Sequence, residues 1–505
     1  MNEQKLFDAI TNLPDEIING AAHKVPAKKR FRSWHIPAVA AVLALCCCLG
    51  VLLWPDGATP GNVQDPAVTP GNVQDPSAST VKTQKPIPVT SAMKSAAAYL
   101  ATYPARVQFV DYGYPDYEET QAAVSKESVS LRLPNDFDKS AVNTFTRSLV
   151  QQLTGTSDGK NRVFSPVNVY MALSMLAETA GGSSREQILE VLGESSIDTL
   201  RSRANILWNN LYRDDGKTAI LLANSLWLRD DTKYNEQTLK TLGDNYYAST
   251  FAGEMGSGAM NSALRDWMNG NTKDLLSDQI EGVELKKDTV MSIVSTVYYK
   301  SKWGTEFNSA KNTQDIFHTN DGDKEVTFMN QSSTGNYYWS ENFAAIKKSL
   351  NYSGMWLVLP DEGVSPEQLL GDDSFWDLVQ GGDSVESKHL MVDLSLPKFD
   401  ITDQTDLIDS LKALGVYNVF DEQMGNFSPL TEDWSDVWVD EIVHGARLKI
   451  DEKGAEGAAY VKISAPGAAP PPDDRVEIRF DRPFVFVLTS NDNLPLFVGI
   501  VHDPQ

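Results

Sequence analysis

The residue types that most often carry catalysis or bind metal are few in this chain, and they are scattered. Its histidines are His23, His35, His318, His389, His444 and His502. None belongs to an HExxH pair, and there is no GxxxxGK[ST] loop to cradle a phosphate. The three cysteines, Cys46, Cys47 and Cys48, are adjacent within an apolar run, so the rest of the chain has no disulfide or thiol chemistry. We therefore expect no enzyme, no catalytic residue, no metal and no cofactor.

The chemistry that the sequence favours lies in residues 452–474, EKGAEGAAYVKISAPGAAPPPDD. At a period of two, one face carries small and then branched apolar side chains: Ala455, Gly457, Ala459, Val461 and Ile463. Such a face could enter the core of a sheet. Prolines 470–472 could not, because proline lacks the donor that a ladder needs. The pattern predicts a strand that is kept out of a sheet, followed by an exposed loop.

This stretch and several further segments resemble the serpin family. After the loop come Asp-Arg-Pro-Phe-Val-Phe and a closing Leu-Phe-Val-Gly-Ile-Val-His-Asp-Pro, which resemble the C-terminal third of serpins. The other matches, in family order, are residues 161–193 (NRVFSPVNVYMALSMLAETAGGSSREQILEVLG), 296–307 (TVYYKSKWGTEF), 396–402 (LPKFDIT) and Val443-His444. The resemblance covers residues 135–505, which we expect to form the serpin domain.

The resemblance implies an α+β serpin fold with a large central mixed sheet, two further sheets, eight to nine helices and an exposed reactive loop. The residue patterns agree with the α+β class, because helical spacing comes early and strand-like runs come late. Those runs are residues 218–228, 289–299, 355–359, 391–396 and 484–489.

The function that the resemblance implies is inhibition, with the target protease supplying the catalyst. A serine protease attacks the loop and forms an acyl-enzyme, and it is trapped when the loop inserts into the large sheet as a new strand. Insertion requires small side chains where the strand enters. The hinge residues implied by the resemblance are Glu452, Gly454, Ala455, Gly457, Ala458 and Ala459.

The family's usual hinge spacing places the reactive bond at Ala468-Ala469. Proline after a bond blocks most serine proteases, which removes Ala465-Pro466 and Ala469-Pro470. Gly467-Ala468 and Ser464-Ala465 stay open as alternatives. Because a small residue before the bond suits a shallow specificity pocket, we expect elastase-like or subtilisin-like serine proteases as targets.

The resemblance also assigns two internal clusters that control strand entry. In the first, the shutter, Ser165 and His444 match family positions, but Ser295 stands where the family usually has asparagine. The shorter hydroxyl predicts one unmade hydrogen bond and easier opening. Trp303 matches the tryptophan of the second cluster, the breach, which lies under the hinge. A simple core aromatic is the alternative interpretation of Trp303.

The N-terminal quarter of the chain lies outside the resemblance. Residues 36–54 carry no charge and are just long enough to span a membrane, and the basic residues that precede them predict that residues 1–35 are cytoplasmic. We expect a single-pass anchor, of a kind ordinary in bacteria, with the serpin domain extracellular; a cleaved signal peptide is the alternative. Residues 55–90 read as a flexible Pro/Gly-rich stalk, and residues 91–134 show a mixed pattern with no assigned role.

The net charge of -24 argues against a nucleic-acid partner, because binding to phosphates needs clustered Lys and Arg. We expect a monomer. Two other functions stay open. One is a non-inhibitory serpin that acts as a binding module, and the other is a membrane sensor whose cytoplasmic segment reports cleavage of the extracellular domain.

Overall fold

The structure is a computed structural model that describes residues 83, 88–110, 117–155, 158–433, 437–439, 442–455 and 474–505. The predicted cytoplasmic segment and anchor (residues 1–54) and the hinge and loop residues 456–473 lie outside this part of the chain. The described residues all belong to one compact unit, Ser77–Gln505. Among them, no helix combines the length and the apolar character that crossing a bilayer requires.

The described residues contain twelve α-helices. They are α1 (Ser91–Ala96), α2 (Tyr117–Ser130), α3 (Ser140–Thr154), α4 (Pro166–Thr179), α5 (Gly182–Val191), α6 (Ile197–Leu211), α7 (Glu236–Tyr246), α8 (Gly258–Thr272), α9 (Ser277–Ile280), α10 (Pro366–Leu369), α11 (Asp373–Gln380) and α12 (Ile408–Leu414). Helix α4 begins with Pro166, whose fixed φ and missing N–H suit the first turn. Its side chains are apolar nearly all round and almost all buried, so α4 lies between the two sheets of the domain.

The strands are β1 (Ala97–Tyr99), β2 (Arg162–Phe164), β3 (Arg213–Asp214), β4 (Ala219–Arg229), β5 (Ala248–Gly253), β6 (Met291–Lys302), β7 (Thr313–Thr319), β8 (Gly322–Trp339), β9 (Phe343–Leu350), β10 (Ser353–Pro360), β11 (Glu386–Pro397), β12 (Phe399–Asp406), β13 (Val443–Ile450), β14 (Gly454–Ala455), β15 (Arg475–Arg479), β16 (Phe484–Ser490) and β17 (Pro495–Val501). The five predicted strand-like runs all fall largely within strands of this set.

Two sheets form from these strands. The first has the order β1-β5-β4-β6-β14-β13-β12, with β3 beside β4, and it is mixed because β4 and β5 run parallel while β4 and β6 run antiparallel. The second has the order β15-β11-β8-β9-β10-β16-β17-β2, with β7 beside β8. The predicted α+β serpin fold with a large mixed sheet is confirmed.

Two details of the fold differ from the prediction. The helix count is twelve among the described residues rather than eight to nine, because α9 and α10 have only four residues each and α1 and α2 precede the predicted domain. The two smaller sheets that were predicted beside the large one are joined into a single sheet. Strand β8 has 18 residues, and it pairs with β7 along its first part and with β9 at its end, so one strand serves both predicted sheets.

The described parts of residues 91–134, whose pattern predicted no role, pack onto the domain. Helix α1 lies against α8, and β1 extends the first sheet by pairing antiparallel with β5. Helix α2 lies near the end of β3, where Arg213 donates a hydrogen bond to Ser128 at 3.3 Å. The first sheet therefore gains an edge strand from outside the predicted serpin domain.

Candidate functional site

The start of the predicted hinge lies between two long strands of the first sheet. Gly454 pairs with Lys302 of β6, and Ala455 pairs with Ser301 of β6 and with Ile450 of β13. Among the described residues, β6 and β13 are joined only through this two-residue strand β14. Strands β6 and β13 have 12 and 8 residues, so both run on beyond β14. Their facing edges could pair with a further strand that continues from Ala455.

The two residues of β14 fit this position for separate reasons. Ala455 is fully buried, so it belongs to the inward face that the alternation predicts. Gly454 has a φ of 153°, and a Cβ there would lie 2.1 Å from the carbonyl oxygen of Ser301. Only glycine can take this backbone conformation and this close approach.

Trp303 and its neighbour Phe307 fix the residues that lead into β14. Its backbone N–H donates to the carbonyl oxygen of Lys453 at 3.0 Å, and its indole N–H donates to that of Asp451 at 2.8 Å. Phe307, which packs edge-on to Trp303, donates its N–H to the carbonyl oxygen of Glu452 at 2.9 Å. Trp303 is thus buried as a core aromatic, and it also positions the turn from which β14 starts. These contacts favour the breach role over the simple core role.

Glu452 is held by two groups that the sequence reasoning did not select. Lys398 lies 2.6 Å from its carboxylate, and the side-chain amide of Asn312 donates to the same oxygen at 2.5 Å. Partial burial alone would raise the pKa of Glu452, but these hydrogen bonds outweigh burial and hold the pKa below its ordinary value. Lys398 lies in the LPKFDIT segment, so the sequence did carry a signal for it.

A buried lysine supports the same turn from behind. The ammonium of Lys348 donates to the carbonyl oxygen of Thr305 at 2.9 Å and to the side-chain oxygen of Gln331 at 2.5 Å. It also lies over the rings of Trp303 and Phe307, at 5.0 and 4.2 Å from their centroids. Burial lowers the pKa of Lys348 to about 7. The residue lies in β9 next to Lys347, and a pair of lysines in a strand gives no pattern from which the role of one of them could be predicted.

The shutter residues meet at the N-terminus of α4, beneath β6 and β13. His444 is buried, and its Nε2 accepts the backbone N–H of Ser165 at 3.0 Å. Because Nε2 accepts this bond and burial lowers the pKa of His444 to about 4, the ring is neutral near pH 7. The hydroxyl oxygen of Ser165 is buried and has no hydrogen-bond partner among the described residues.

By contrast with Ser165, the hydroxyl of Ser295 has partners, so the unmade hydrogen bond predicted for the shutter does not lie at Ser295. Its Oγ lies 2.5 Å from Oδ1 of Asn168 and 2.7 Å from Oδ1 of Asn224, so it donates to one of these amide oxygens at a time. Asn168 in turn donates its side-chain N–H to the carbonyl oxygen of Ser295 at 3.1 Å. Two asparagines, on α4 and β4, reach the short hydroxyl from both sides. Sequence reasoning missed both of them.

The structure therefore brings the predicted residues together in two places. Glu452, Gly454, Ala455 and Trp303 meet at the breach, and Ser165, Ser295 and His444 meet at the shutter. The other predicted hinge residues, Gly457, Ala458 and Ala459, and the predicted reactive bond at Ala468-Ala469 lie outside the described residues. Within the described part of the chain, no group of His, Cys, Asp and Glu side chains could hold a metal ion.

We expect the stability of the domain to fall as the pH drops from about 6.5 toward 4, in part because of His444. Its pKa is about 4 in the folded state and near 6.5 when unfolded, so the unfolded state binds the proton more tightly in this window. The contribution of His444 to the free energy of unfolding is complete above pH 6.5 and is lost progressively as the pH falls to about 4. It amounts to about 3 kcal/mol. Thermal unfolding followed from about pH 7.5 down to about pH 4.5 measures it.

The variant His444→Gln should show a weaker pH dependence than the wild-type chain. The matched control is His389→Gln, because His389 is exposed and its ring bonds only to the side chain of Asn336. Equal pH dependence in the two variants would mean that His444 does not contribute.

Comparison with known proteins gives a consistent result. A family model described as Serpin (serine protease inhibitor) matches residues 140–504. The curated relatives include alpha-1-antiproteinase of Rattus norvegicus, 26% identical over 401 residues, which spans 77% of this chain and 93% of the relative. Alpha-1-antiproteinase 2 of Equus caballus is 28% identical over 373 residues, spanning 71% of this chain and 85% of the relative.

Solved structures share the fold. The thermophilic protein tengpin in its native state matches with a TM-score of 0.64 and 24% identity, over 74% of this chain and 96% of tengpin. A thyroxine-binding globulin in complex with thyroxine matches with a TM-score of 0.61 and 24% identity, over 73% of this chain and 100% of the globulin.

Proposed function

This chain belongs to the serpin family, and from that premise we propose that it is an inhibitor that traps serine proteases covalently, not an enzyme. The family's description is serine protease inhibitor, and the curated relatives include antiproteinases. One observation carries the proposal. The first two residues of the small-residue stretch already lie as β14 between β6 and β13, which is where an inserting strand would have to start.

The proposed reaction begins as ordinary proteolysis. The serine hydroxyl of the protease attacks the carbonyl carbon of Ala468, an ester to Ala468 forms, and the peptide bond to Ala469 breaks, which frees a new amino terminus at Ala469. The strand from Ala455 to Ala468 then inserts between β6 and β13 before water can hydrolyse the ester. About a dozen new ladder hydrogen bonds at about 1 kcal/mol each would drive it, a sum comparable with the stability of an ordinary domain.

The site residues have defined parts in this mechanism. Trp303, Lys348 and the Lys398–Glu452 pair hold the turn that precedes the hinge, so the strand enters from a fixed starting point. His444, Ser165, Ser295 and Asn168 tie α4 to the strands on either side of the path, and their bonds have to adjust when β6 and β13 move apart.

We extend the proposal to the targets and the location. The alanine before the reactive bond favours proteases with a small specificity pocket, elastase-like or subtilisin-like. The uncharged run at residues 36–54 and the stalk that follows favour a monomeric inhibitor displayed outside the cell on one N-terminal membrane helix.

A sensor of proteolysis would differ from an inhibitor in that its function would depend on residues 1–30. Their deletion should leave inhibition unchanged, and it should abolish a cellular response only if the chain is a sensor.

We expect the full chain, mixed with an elastase, to form a complex that survives boiling in detergent. The peptide released by the reaction should begin at Ala469, which mass spectrometry can establish. Elastase whose active-site serine has been blocked with a sulfonyl fluoride is the control, and it should give neither complex nor peptide. Clean cleavage of the loop without a complex, by elastase and by subtilisin alike, would instead favour the non-inhibitory binding module.

A further inference from the structure

Residues 88–110, which we call the N-terminal clamp, precede the family match at residues 140–504, yet they dock along one side of the domain. Strand β1 pairs with β5, with Ala97 opposite Phe251 and Tyr99 opposite Thr250. Further along, the backbone N–H of Ala101 donates to the hydroxyl of Ser249 at 3.1 Å. The clamp therefore supplies the outermost strand of the sheet that is proposed to open.

The clamp also reaches the helix that crosses this sheet. Helix α8 lies over β4 and β6, and α1 of the clamp packs on α8. Met93 of α1 is buried in an apolar cluster with side chains of α8, β4 and β5. The cluster includes Met260, Ala263, Leu264, Trp267, Trp227 and Phe251. Thr90, just before α1, donates its hydroxyl to the carboxylate of Asp266 on α8 at 2.7 Å. The clamp thus joins α8 to the edge of the sheet.

The C-terminal half of the clamp is held mainly by polar contacts and by tilted or edge-on aromatic contacts. Tyr103 lies among Trp208, Tyr212 and Tyr247, with ring centroids 5.4 to 6.5 Å away. The guanidinium of Arg106 is buried and donates to the carbonyl oxygen of Tyr212 at 3.0 Å.

The interface between the C-terminal half of the clamp and the body of the domain is not tightly packed. A cavity of about 600 Å³ lies between Phe109 of the clamp and Trp303 and Lys302 of the breach. A second cavity of about 290 Å³ lies beside Arg106. The clamp pairs with the sheet through β1, an edge strand of three residues, none of which is fully buried. Edge segments of this kind open locally at a lower free energy than the core of a domain does, so we expect the clamp to separate while the body stays folded.

We propose that the N-terminal clamp is a releasable restraint. While docked, it holds α8 and the strands β5, β4 and β6 together and so slows the separation of β6 from β13; when released, it lets the sheet admit the reactive loop faster. The effect of the clamp on loop insertion rests on the proposed function. Its effect on the motion of α8 and β6 is independent of that function and can be tested even if the chain inhibits no protease.

A single glycine of the body offers a specific way to release the clamp. Gly243 lies in α7, and a Cβ there would lie 2.0 Å from a ring carbon of Tyr99. Tyr99 also donates its hydroxyl to Asp244 at 3.1 Å, so Gly243→Ala disturbs both contacts. In a helix interior alanine is itself favoured over glycine by about 1 kcal/mol, so α7 should fold at least as well. Tyr103→Ala is a second lesion, and it lies within the clamp itself.

The test uses the full chain and measures amide hydrogen exchange by mass spectrometry. We expect both substitutions to raise exchange in residues 97–101 about tenfold, and to raise it in α8 and β6 as well. Release of the clamp without faster exchange in α8 and β6 would overturn the proposal, because the clamp would then restrain nothing. If neither substitution raised exchange in the clamp, it would not be a releasable unit, and the proposal would fail on that ground.

Tyr99→Ala separates the clash from any effect on α7. Without the ring of Tyr99, the Cβ added by Gly243→Ala does not clash with the clamp, so the double variant should behave like Tyr99→Ala alone. An equal effect of Gly243→Ala in both backgrounds would assign the change to α7 and contradict the proposal.

The effect of the clamp on insertion is measured on the full chain during storage. A chain whose loop has already inserted can no longer trap elastase, so the measured quantity is the rate at which the stored chain loses its capacity to form the complex. We expect Gly243→Ala to speed this loss about tenfold. If the wild-type chain forms no complex at all, the proposed function fails and the exchange data alone decide about the clamp. A different outcome is that the wild-type chain forms a complex and Gly243→Ala raises exchange in α8 and β6 but leaves the rate of loss unchanged. In that case the clamp does not control insertion.

Discussion

Replacing Ala459 with arginine should abolish trapping and leave the chain a mere substrate of its target protease, whereas the same replacement at Ala458 should leave trapping largely intact. The two positions differ in the face of the inserting strand to which they belong. Ala455 is fully buried in β14, and counting from it at a period of two assigns Ala459 to the inward face and Ala458 to the outward face. Both residues lie outside the described part of the chain, so this assignment is a prediction.

The expected size of the effect follows from the cost of burying an unpaired charge. An arginine at position 459 would have to enter the core without a partner, which costs several kcal/mol. Insertion competes with hydrolysis of the ester, and about 3 kcal/mol added to the insertion barrier slows insertion by more than 100-fold. Hydrolysis of the ester is then faster than insertion, so the protease is released in active form and the chain is left cleaved. At position 458 the guanidinium can stay in water, so the barrier changes little.

The ratio of stable complex to cleaved free chain, after each variant has reacted with elastase, measures this partition. We expect almost no complex from Ala459→Arg and a ratio close to that of the wild-type chain from Ala458→Arg. Equal loss in both variants would contradict the alternation and point to a general effect of charge on the loop. Equal retention in both would mean that this stretch does not enter the sheet.

Much of the fold could be predicted because its signals lie close together along the chain. The strand-like runs are rich in apolar residues, as in residues 484–489. The ends of β16 and β10 lie within about two residues of the ends of the predicted runs. Trp303 and His444 could be selected because each lies in a segment that resembles the family, and both make contacts that suit the predicted places. The small-residue hinge was predicted in the same way, and its residues Gly454 and Ala455 lie between β6 and β13.

What could not be predicted depends on contacts between residues far apart in sequence. Asn168 and Asn224 compensate for the shorter Ser295, but they are 127 and 71 residues away from it, and neither asparagine forms a local pattern. Lys348 likewise lies in an ordinary strand, and only the folded chain shows that its ammonium is enclosed by Trp303 and Phe307. The pattern of residues 91–134 is mixed because they pack on surfaces that other segments supply.

Replacing Ala468 with arginine should redirect the chain from elastase-like to trypsin-like proteases. The side chain before the reactive bond enters the specificity pocket, and that of trypsin has a carboxylate at its base, whereas that of elastase is small. A pairing or clash of this kind changes the reaction by several kcal/mol, so we expect the rate of complex formation to rise more than 100-fold with trypsin and to fall by a similar factor with elastase. The rates are measured under pseudo-first-order conditions with each protease in turn.

Gly467→Arg is the matched control, and together the two variants identify the reactive bond. If Gly467→Arg gains the trypsin complex instead, the bond is Gly467-Ala468, and if neither variant gains it, the bond lies elsewhere, as at Ser464-Ala465.

The length of the inserted strand favours Ala468-Ala469. The fourteen residues from Ala455 to Ala468 would extend over about 46 Å, slightly more than the length of the 12-residue strand β6. A strand that ended at Ser464 would be about 13 Å shorter, and in the register of β14 it would end opposite Ser292, one residue short of the end of β6. Trapping requires the ester to be carried away from the site of attack before water reaches it, so a bond that allows the whole of β6 to be paired gives the largest displacement.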